Sequence, residues 1–400
     1  MPASLTTINA LLKEMYQGGL RDALQNEVIG MKRIEQTSQG VSNDVSGRYV
    51  TFPVRVRRNH GQGYRQENEQ LPAAGQQGYI SPRVPLKYGY GRVRMTGQLM
   101  KLADSNAEAF ANAMEREMDG LKDDVRKDSG RIFYGDATGT LATVTADAAN
   151  TVTVDSIQFL ELDMMIDVII PGTGVTHAVN RKITAINPTT KVVTYDGADA
   201  SAAIVATDVL VRTGSGTVSA GVFREPQGLK SIVAATGTLF NVDPAVEPKW
   251  AAYVDATGGA VAESKWISAC DAVRVQGGKT TVGFTSLGIR RAYFNLLKAD
   301  RRITAPQKFE GGFTGLSFAA GNEDIPIVAD VDCPTGLTYF LEEKAFKVYR
   351  EADWAFADDD GSILKWVHDF DVWEAVLRKY WELGIEVRNH NAVLTGQTEA

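Results

Sequence analysis

Residue types able to do chemistry are present in this 400-residue chain, but their spacing assembles none of them into a recognisable reactive centre. Gly277-Gly278-Lys279-Thr280 has the ending of a phosphate-binding loop. That loop needs a further glycine five positions before Gly278, so that successive backbone N–H groups can wrap a phosphate, and Val273 stands there. The glycine clusters around Gly172 and Gly214 lack the third glycine of a dinucleotide-binding turn, and no serine lies in a Gly-x-Ser-x-Gly frame. All of these glycines read as turns. His60, His177, His368 and His390 occur singly, without the His/Cys spacing that a tetrahedral metal site requires. Cys270 and Cys333 have no CxxC partner and read as two small buried or half-buried thiols. Asp358-Asp359-Asp360-Gly361 has the carboxylate density of a calcium loop without its twelve-residue spacing or closing glutamate, and reads as a solvated turn. No catalytic residue, metal or cofactor is expected.

Charge is more informative than motif. The chain carries 42 Lys and Arg against 49 Asp and Glu, a net of −7, which excludes a surface built wholly to grip phosphate backbones. Between Gly47 and Gly97 the balance reverses to +7, with Arg48, Arg55, Arg57, Arg58, Arg65, Arg83, Lys87, Arg92 and Arg94 against Glu67 and Glu69. The remainder is about −14. A basic segment within an acidic chain can meet nucleic acid through Arg55 to Arg58, or an acidic surface on another copy of itself. The second reading is the favoured one. No stretch approaches the ~20 apolar residues of a membrane span, and the N-terminus lacks a secretory pattern. The cytoplasm is therefore the default compartment.

Several elements must position these residues. Residues 1 to 46 read as an arm with a short amphipathic helix bearing Leu5, Ile8, Leu11, Leu12 and Met15. Val50, Phe52, Val54 and Val56 alternate with polar neighbours, alternation returns over residues 79 to 94, and a Gly, Gln and Asn-rich stretch separates the two. The pattern predicts one long hairpin. Eleven residues at ~3.3 Å each give an arm of ~36 Å, against a radius of gyration near ~21 Å for a compact chain of this length. Pro53, Pro82 and Pro85 remove ladder donors, so the hairpin is expected to project and to need support from outside the subunit.

Residues 104 to 130 predict a long amphipathic helix of about 40 Å. Ala107, Phe110, Met114, Met118, Leu121 and Val125 form its apolar stripe, Ser105 and Glu108 its capping box, and Gly130 its end. Its outer face is acidic. Residues 140 to 222, rich in Val, Ile, Thr and Ala between turn signals, predict an inserted all-β module. A mixed region follows, with a helix over Thr285 to Lys298 and a buried strand over Ile325 to Asp330. Alternating stretches close the chain, of which Val372 to Leu383 is ambiguous between strand and helix. The class is α+β.

This order of elements resembles the major capsid proteins of tailed double-stranded DNA bacteriophages, which have the Hong Kong 97-type capsid fold. The strings RIFYGDATG (Arg131 to Gly139), REPQGL (Arg224 to Leu229), TSLGIRRAYFNLLKADRR, GNEDIPIVAD and RNHNAVLTG (Arg388 to Gly396) are also similar to that family, and the likeness spans essentially the whole chain. It implies an N-arm over 1 to 46, an E-loop hairpin over 47 to 97 and a P domain with its spine helix over 98 to 139. The inserted β module then takes 140 to 222, the A domain 223 to 337, and P-domain return strands with the C-terminus 338 to 400.

The resemblance implies a structural subunit, not an enzyme, that self-assembles through pentamers and hexamers into an icosahedral shell around the genome. Its expected location is the virion capsid. Expected partners are other copies of the chain, packaged double-stranded DNA without sequence specificity, a portal, a separate scaffolding protein and a possible decoration protein, with no membrane. Some relatives weld their shells through a lysine in the hairpin. Here Lys87 is the sole lysine of that segment and lies on the strand, so no such weld is expected. The candidate intersubunit contact sets Arg55, Arg57, Arg58, Arg92 and Arg94 of one copy against Glu115, Asp119 and Asp123 on the long helix of another. The rival readings are an encapsulin-type protein nanocompartment and a nucleic-acid-binding protein using the basic hairpin.

Overall fold

A computed structural model describes residues 28–37, 41–42, 49–98, 107–219, 221–299, 307–308, 314–320, 323–358 and 361–400. The amphipathic helix expected in the arm, and Ser105 of the expected capping box, lie outside these residues. The side chains of helix residues 107–116 are likewise outside the description.

The long helix runs from Ala107 to Tyr134. It does not stop at Gly130. A glycine is needed there because the helix passes Asp332 so closely that a Cβ would lie 2.3 Å from its Oδ2. The last turn is apolar and buried, with Phe133 and Tyr134 set edge-to-face against Phe284 at 5.9 and 6.5 Å. That aromatic contact inserts the helix end into the main core, which also holds Trp250, Tyr339, Phe346, Trp381 and Ile385.

Two sheets flank this core. One contains Phe346–Arg350, Val372–Ile385, Lys87–Thr96 and three short strands. The other has seven strands, in the order Tyr253–Asp255, Ala392–Leu394, Thr338–Leu341, Val282–Thr285, Glu323–Ala329, Thr314–Ala320 and Gln307–Lys308. Helices Glu263–Val275 and Leu287–Ala299 contribute Trp266, Val273, Ile289 and Tyr293 to a second core, shared with this seven-stranded sheet. The run Thr338 to Arg350 supplies one strand to each sheet, broken by a 3₁₀ turn at Glu343–Ala345.

Val372–Ile385 is a strand, not a helix. Its alternate residues Ala375, Leu377, Lys379 and Trp381 are buried, a period of two that a helix cannot produce. Its main partner corrects the hairpin expectation. Lys87–Thr96 pairs in unbroken antiparallel register with Trp381 to Val372 instead of with the first hairpin strand. The hairpin ladder is therefore short: Tyr49↔Pro85, Val50↔Val84 and Thr51↔Arg83, then Val54↔Ile80, Arg55↔Tyr79 and, after a register shift, Arg57↔Gly78.

The base of the hairpin is also carried by its own chain. Val50, Phe52, Val54, Ile80 and Leu86 pack on the main core and Val84 is fully buried in it. Only residues 58 to 77 extend without strand pairing. There the side chain of Asn59 bridges the two legs, donating to the Gly75 carbonyl at 2.9 Å and accepting from Gly61 N–H at 2.7 Å.

Residues 140 to 212 form a closed six-stranded barrel, ordered Thr176–Asn187, Val192–Tyr195, Thr151–Val154, Thr140–Ala148, Val209–Arg212 and Met165–Ile169. Its interior is filled by Leu141, Val144, Val152, Val154, Ile166, Val168, Ile183, Val193 and Leu210. Closure leaves no sheet edge open, so this insertion has a core of its own.

Candidate assembly surfaces

The candidate contact residues fall on three separate surfaces. Arg55 is exposed on the first hairpin strand opposite Tyr79, and Arg58 is exposed just beyond it. Arg57 forms an ion pair with Glu247 of its own chain. Arg92 and Arg94 are not on the projecting part at all. They lie on the Lys87–Thr96 strand, where both reach Glu374 on the neighbouring strand, Arg94 Nε at 2.7 Å and Arg92 Nη1 at 3.7 Å. On the long helix Asp119 is paired with Lys122 and Asp123 with Arg126, each one turn away and exposed. Such exposed pairs hold their partners weakly, so these carboxylates stay available to a stronger cation. Glu115 is on the helix, but its side chain is outside the described residues.

Two features lie beyond what composition and spacing point to. The hairpin tip carries large apolar side chains with no cover: Tyr64 is 104% exposed and Leu71 81%. The second is the solvent face of the ribbon formed by Lys87–Thr96 and Val372–Ile385. Tyr88 and Tyr90 stand edge-on to Tyr380, with ring centroids at 5.1 and 6.1 Å, and Arg92, Arg94 and Arg378 follow along the same face. The Tyr90 phenol is raised above its ordinary value, chiefly by its hydrogen bond to Tyr380. Exposed tyrosine and arginine together are the residue types that anchor protein interfaces. The period-two alternation of 87 to 94 was the signal for this face, but its partner strand lies almost 300 residues away.

Behind these surfaces an ionic chain, buried at Arg131 and open to solvent at Arg212, ties the helix, barrel and following loop together. Arg212 of the barrel approaches Asp128 at 3.4 Å, and Asp128 accepts from Arg131 at 2.9 Å. Arg131 in turn donates to Glu225 at 2.7 Å. Burial pushes Glu225 up, while Arg131 and Arg212 outweigh the burial of Asp128 and hold it below its usual range. Lys127 donates to both oxygens of buried Asp332 at 2.8 Å, and burial still leaves that carboxyl raised. A cleft of about 770 Å³ opens beside this network between helix and barrel, rimmed by Phe159, Leu162 and Met165.

Among the described residues no group of three or more His, Cys, Asp or Glu is placed to hold a metal, and no helix is long and apolar enough to cross a membrane. His177 and His390 each pair with one carboxylate, Asp208 and Glu342, at 2.6 and 2.7 Å. Gly278-Lys279-Thr280 follows the helix Glu263–Val275 instead of preceding one, so no helix N-terminus faces a phosphate there.

No protein-family profile and no curated protein sequence matches the chain. Solved structures do. The subunit of the cyanophage A-1(L) capsid is 13% identical with a TM-score of 0.61, over 99% of this chain and all of that one. A chain from the capsid of a native GTA particle is 12% identical with a TM-score of 0.51, over 99% of both chains. A chain from Mycobacterium phage Bobi is 9% identical with a TM-score of 0.50, over the full length of both. At these identities the likeness is one of fold. It covers helix, hairpin, both sheets and barrel together.

Proposed function

We propose that this chain, which has the Hong Kong 97-type capsid fold, is the major capsid protein of a tailed double-stranded DNA phage. In this reading it closes an icosahedral shell from pentamers and hexamers of itself and carries out no reaction. The observation that carries it is the hairpin. Residues 58 to 77 extend beyond the paired strands with Tyr64 and Leu71 bare to solvent, side chains that a neighbouring copy is placed to cover, on a fold shared end to end with capsid subunits.

A closed symmetric shell repeats each contact many times, so each can remain weak enough to break and correct itself during assembly. The contact proposed sets Arg55, Arg57 and Arg58 of one copy against the exposed Asp119 and Asp123 of another, with Glu115 on the same helix. Arg92 and Arg94 contribute from the ribbon, where Glu374 already engages them. Packaged DNA, a portal, separate scaffolding and decoration proteins, and a virion location belong to this same reading.

Electron microscopy of the purified full-length protein tests it. Uniform icosahedral particles resolving into pentamers and hexamers are expected, with nucleic acid inside those isolated from infected cells. Enclosed protein in place of DNA would assign the chain to a nanocompartment instead. Soluble monomers with salt-dependent DNA affinity would replace the shell reading by a nucleic-acid-binding one.

A further inference from the structure

The segment from Phe223 to Gly228 leaves the barrel, crosses the base of the hairpin and enters the short helix Leu229–Ile232. It is fastened from three directions. Lys87 Nζ, at the foot of the hairpin, donates to the Phe223 carbonyl at 2.6 Å. Arg131 of the long helix holds Glu225. Glu382 Oε1, on the long strand, accepts the Gln227 N–H at 2.5 Å.

Glu382 is the anomalous member. It is 0% exposed. Its Oε1 also accepts from Leu383 N–H at 3.2 Å, but Oε2 is buried without any partner. A buried carboxyl oxygen without a partner calls for an explanation, and the neighbouring groups allow one: a second arrangement in which it gains a donor. The group able to supply that arrangement is Lys87, which stands opposite Trp381, the residue next to Glu382, in the ribbon register, and whose charge acts on Glu382. The other ionisable groups facing this spot are Tyr349, directly opposite Glu382 on the adjoining strand, and Glu225 on the segment itself. Burial pushes the Tyr349 phenol up and keeps it neutral, and Glu225 is occupied by Arg131. Lysine, with a flexible four-carbon stem and three donors, can change acceptor without moving its backbone.

We infer that Lys87 and Glu382 form a proton-operated latch on the start of the 223–228 segment: with Glu382 protonated Lys87 holds the Phe223 carbonyl, and on loss of that proton Lys87 turns to the carboxylate and frees the Phe223–Arg224 end, while Glu225 and Gln227 stay held. A carboxylate buried with no counter-ion is the state to be avoided, and the turning lysine avoids it. Burial pushes the Glu382 carboxyl up to about 8, so the latch works in mildly alkaline solution. It couples the foot of the hairpin to the exit of the barrel, and it stands whether or not the chain builds a shell.

Trypsin reads the latch through Arg224, an exposed residue inside the segment whose side chain is held to the Gly214 carbonyl at 2.8 Å. The cleavage rate after Arg224 is measured on full-length unassembled protein at about pH 6.5 and about pH 9.5, on either side of the transition. Comparison with Glu382→Gln at each pH removes the protease's own pH response. The ratio of native protein to E382Q should be near one at the lower pH and rise several-fold at the higher. Lys87→Met should be cut rapidly at both, without a step. A flat ratio, or a surviving step in K87M, would overturn the latch. If E382Q does not fold, the comparison of K87M with native protein decides alone.

Discussion

Arg131 and Glu225 meet at 2.7 Å with both side chains almost wholly buried, 94 residues apart in sequence. The pair is the middle of a four-residue chain, Arg212, Asp128, Arg131 and Glu225, that joins barrel, helix and following segment. Alternating signs make the chain tolerable at its buried centre, while Arg212 at its end reaches solvent. Removing one member leaves its neighbours charged and unpaired.

Arg131→Met should therefore destabilise the subunit by about 3–5 kcal/mol, because Glu225 then faces Asp128 with no cation of its own and only Arg212 remains beside Asp128. Glu225→Gln should cost less, about 1–2 kcal/mol, since burial already pushes that carboxyl toward its neutral form and the amide oxygen still accepts from Arg131. Urea unfolding of the two variants at neutral pH gives the ranking. Equal losses would contradict it.

Arg388 is buried against carbonyls instead of carboxylates. Its guanidinium donates to Ile232 at 2.8 Å, Ser231 at 3.0 Å, Gly237 at 3.2 Å, and Thr236 and Trp250 at 3.3 Å. Burial lowers it to about 10. Because one flat fork serves five acceptors, Arg388→Lys should recover less than half of the stability lost in Arg388→Ala, which itself should exceed about 3 kcal/mol. Denaturant midpoints of the two variants provide the comparison.

Arg388 also shows where reading residues in order reaches its limit. Its string RNHN is recognisable in sequence, but its role depends on carbonyls 138 to 157 residues earlier, and no local pattern announces them. The long helix was legible because its apolar stripe is local, whereas its end was misread: Gly130 looked like a terminator and is a close approach to Asp332. Lys87–Thr96 was legible as a strand from its alternation. Alternation names no partner, so the arginines at 92 and 94 were assigned to a projecting arm when they sit on a sheet beside Glu374. Tyr64 and Leu71 were hidden for the opposite reason: only three-dimensional structure shows that nothing covers them.

Stability should fall as pH rises through the range set by Glu382. Its folded value, about 8, lies above the ordinary carboxylate range, so the folded state holds a proton that the unfolded chain releases near pH 4.3. The stabilisation is complete below that point and is lost progressively up to about 8, with a slope approaching ~1.4 kcal/mol per pH unit. Asp128, Asp136 and Glu342 are lowered and act the other way, losing stability as pH falls below the ordinary carboxylate range. E382Q should flatten a melting-temperature profile between about pH 4.3 and about 8 and leave the limb below that window in place. A profile unchanged by E382Q would show that Glu382 is ionised in the native protein.

The two arginine groups separate assembly from folding. Arg55 and Arg58 are exposed on or just beyond the hairpin strand, whereas Arg57 pairs with Glu247, whose side chain is mostly buried. Reversing Arg55 and Arg58 to Glu, with Arg57 left in place, should change subunit stability by no more than about 1 kcal/mol, the scale of a surface ion pair, while abolishing or strongly reducing particle formation. Reversing Arg92 and Arg94 instead sets two carboxylates beside Glu374, whose side chain is mostly buried. Like charges on adjacent strand positions repel, so this double variant should lose stability by about 2 kcal/mol or more before assembly is tested. Thermal melts of unassembled protein, read together with sedimentation of assembly mixtures, distinguish the cases. Normal particles from the Arg55 and Arg58 double variant would remove these hairpin arginines from the proposed contact and leave the bare tip, Tyr64 and Leu71, as the part of the hairpin that meets a neighbour.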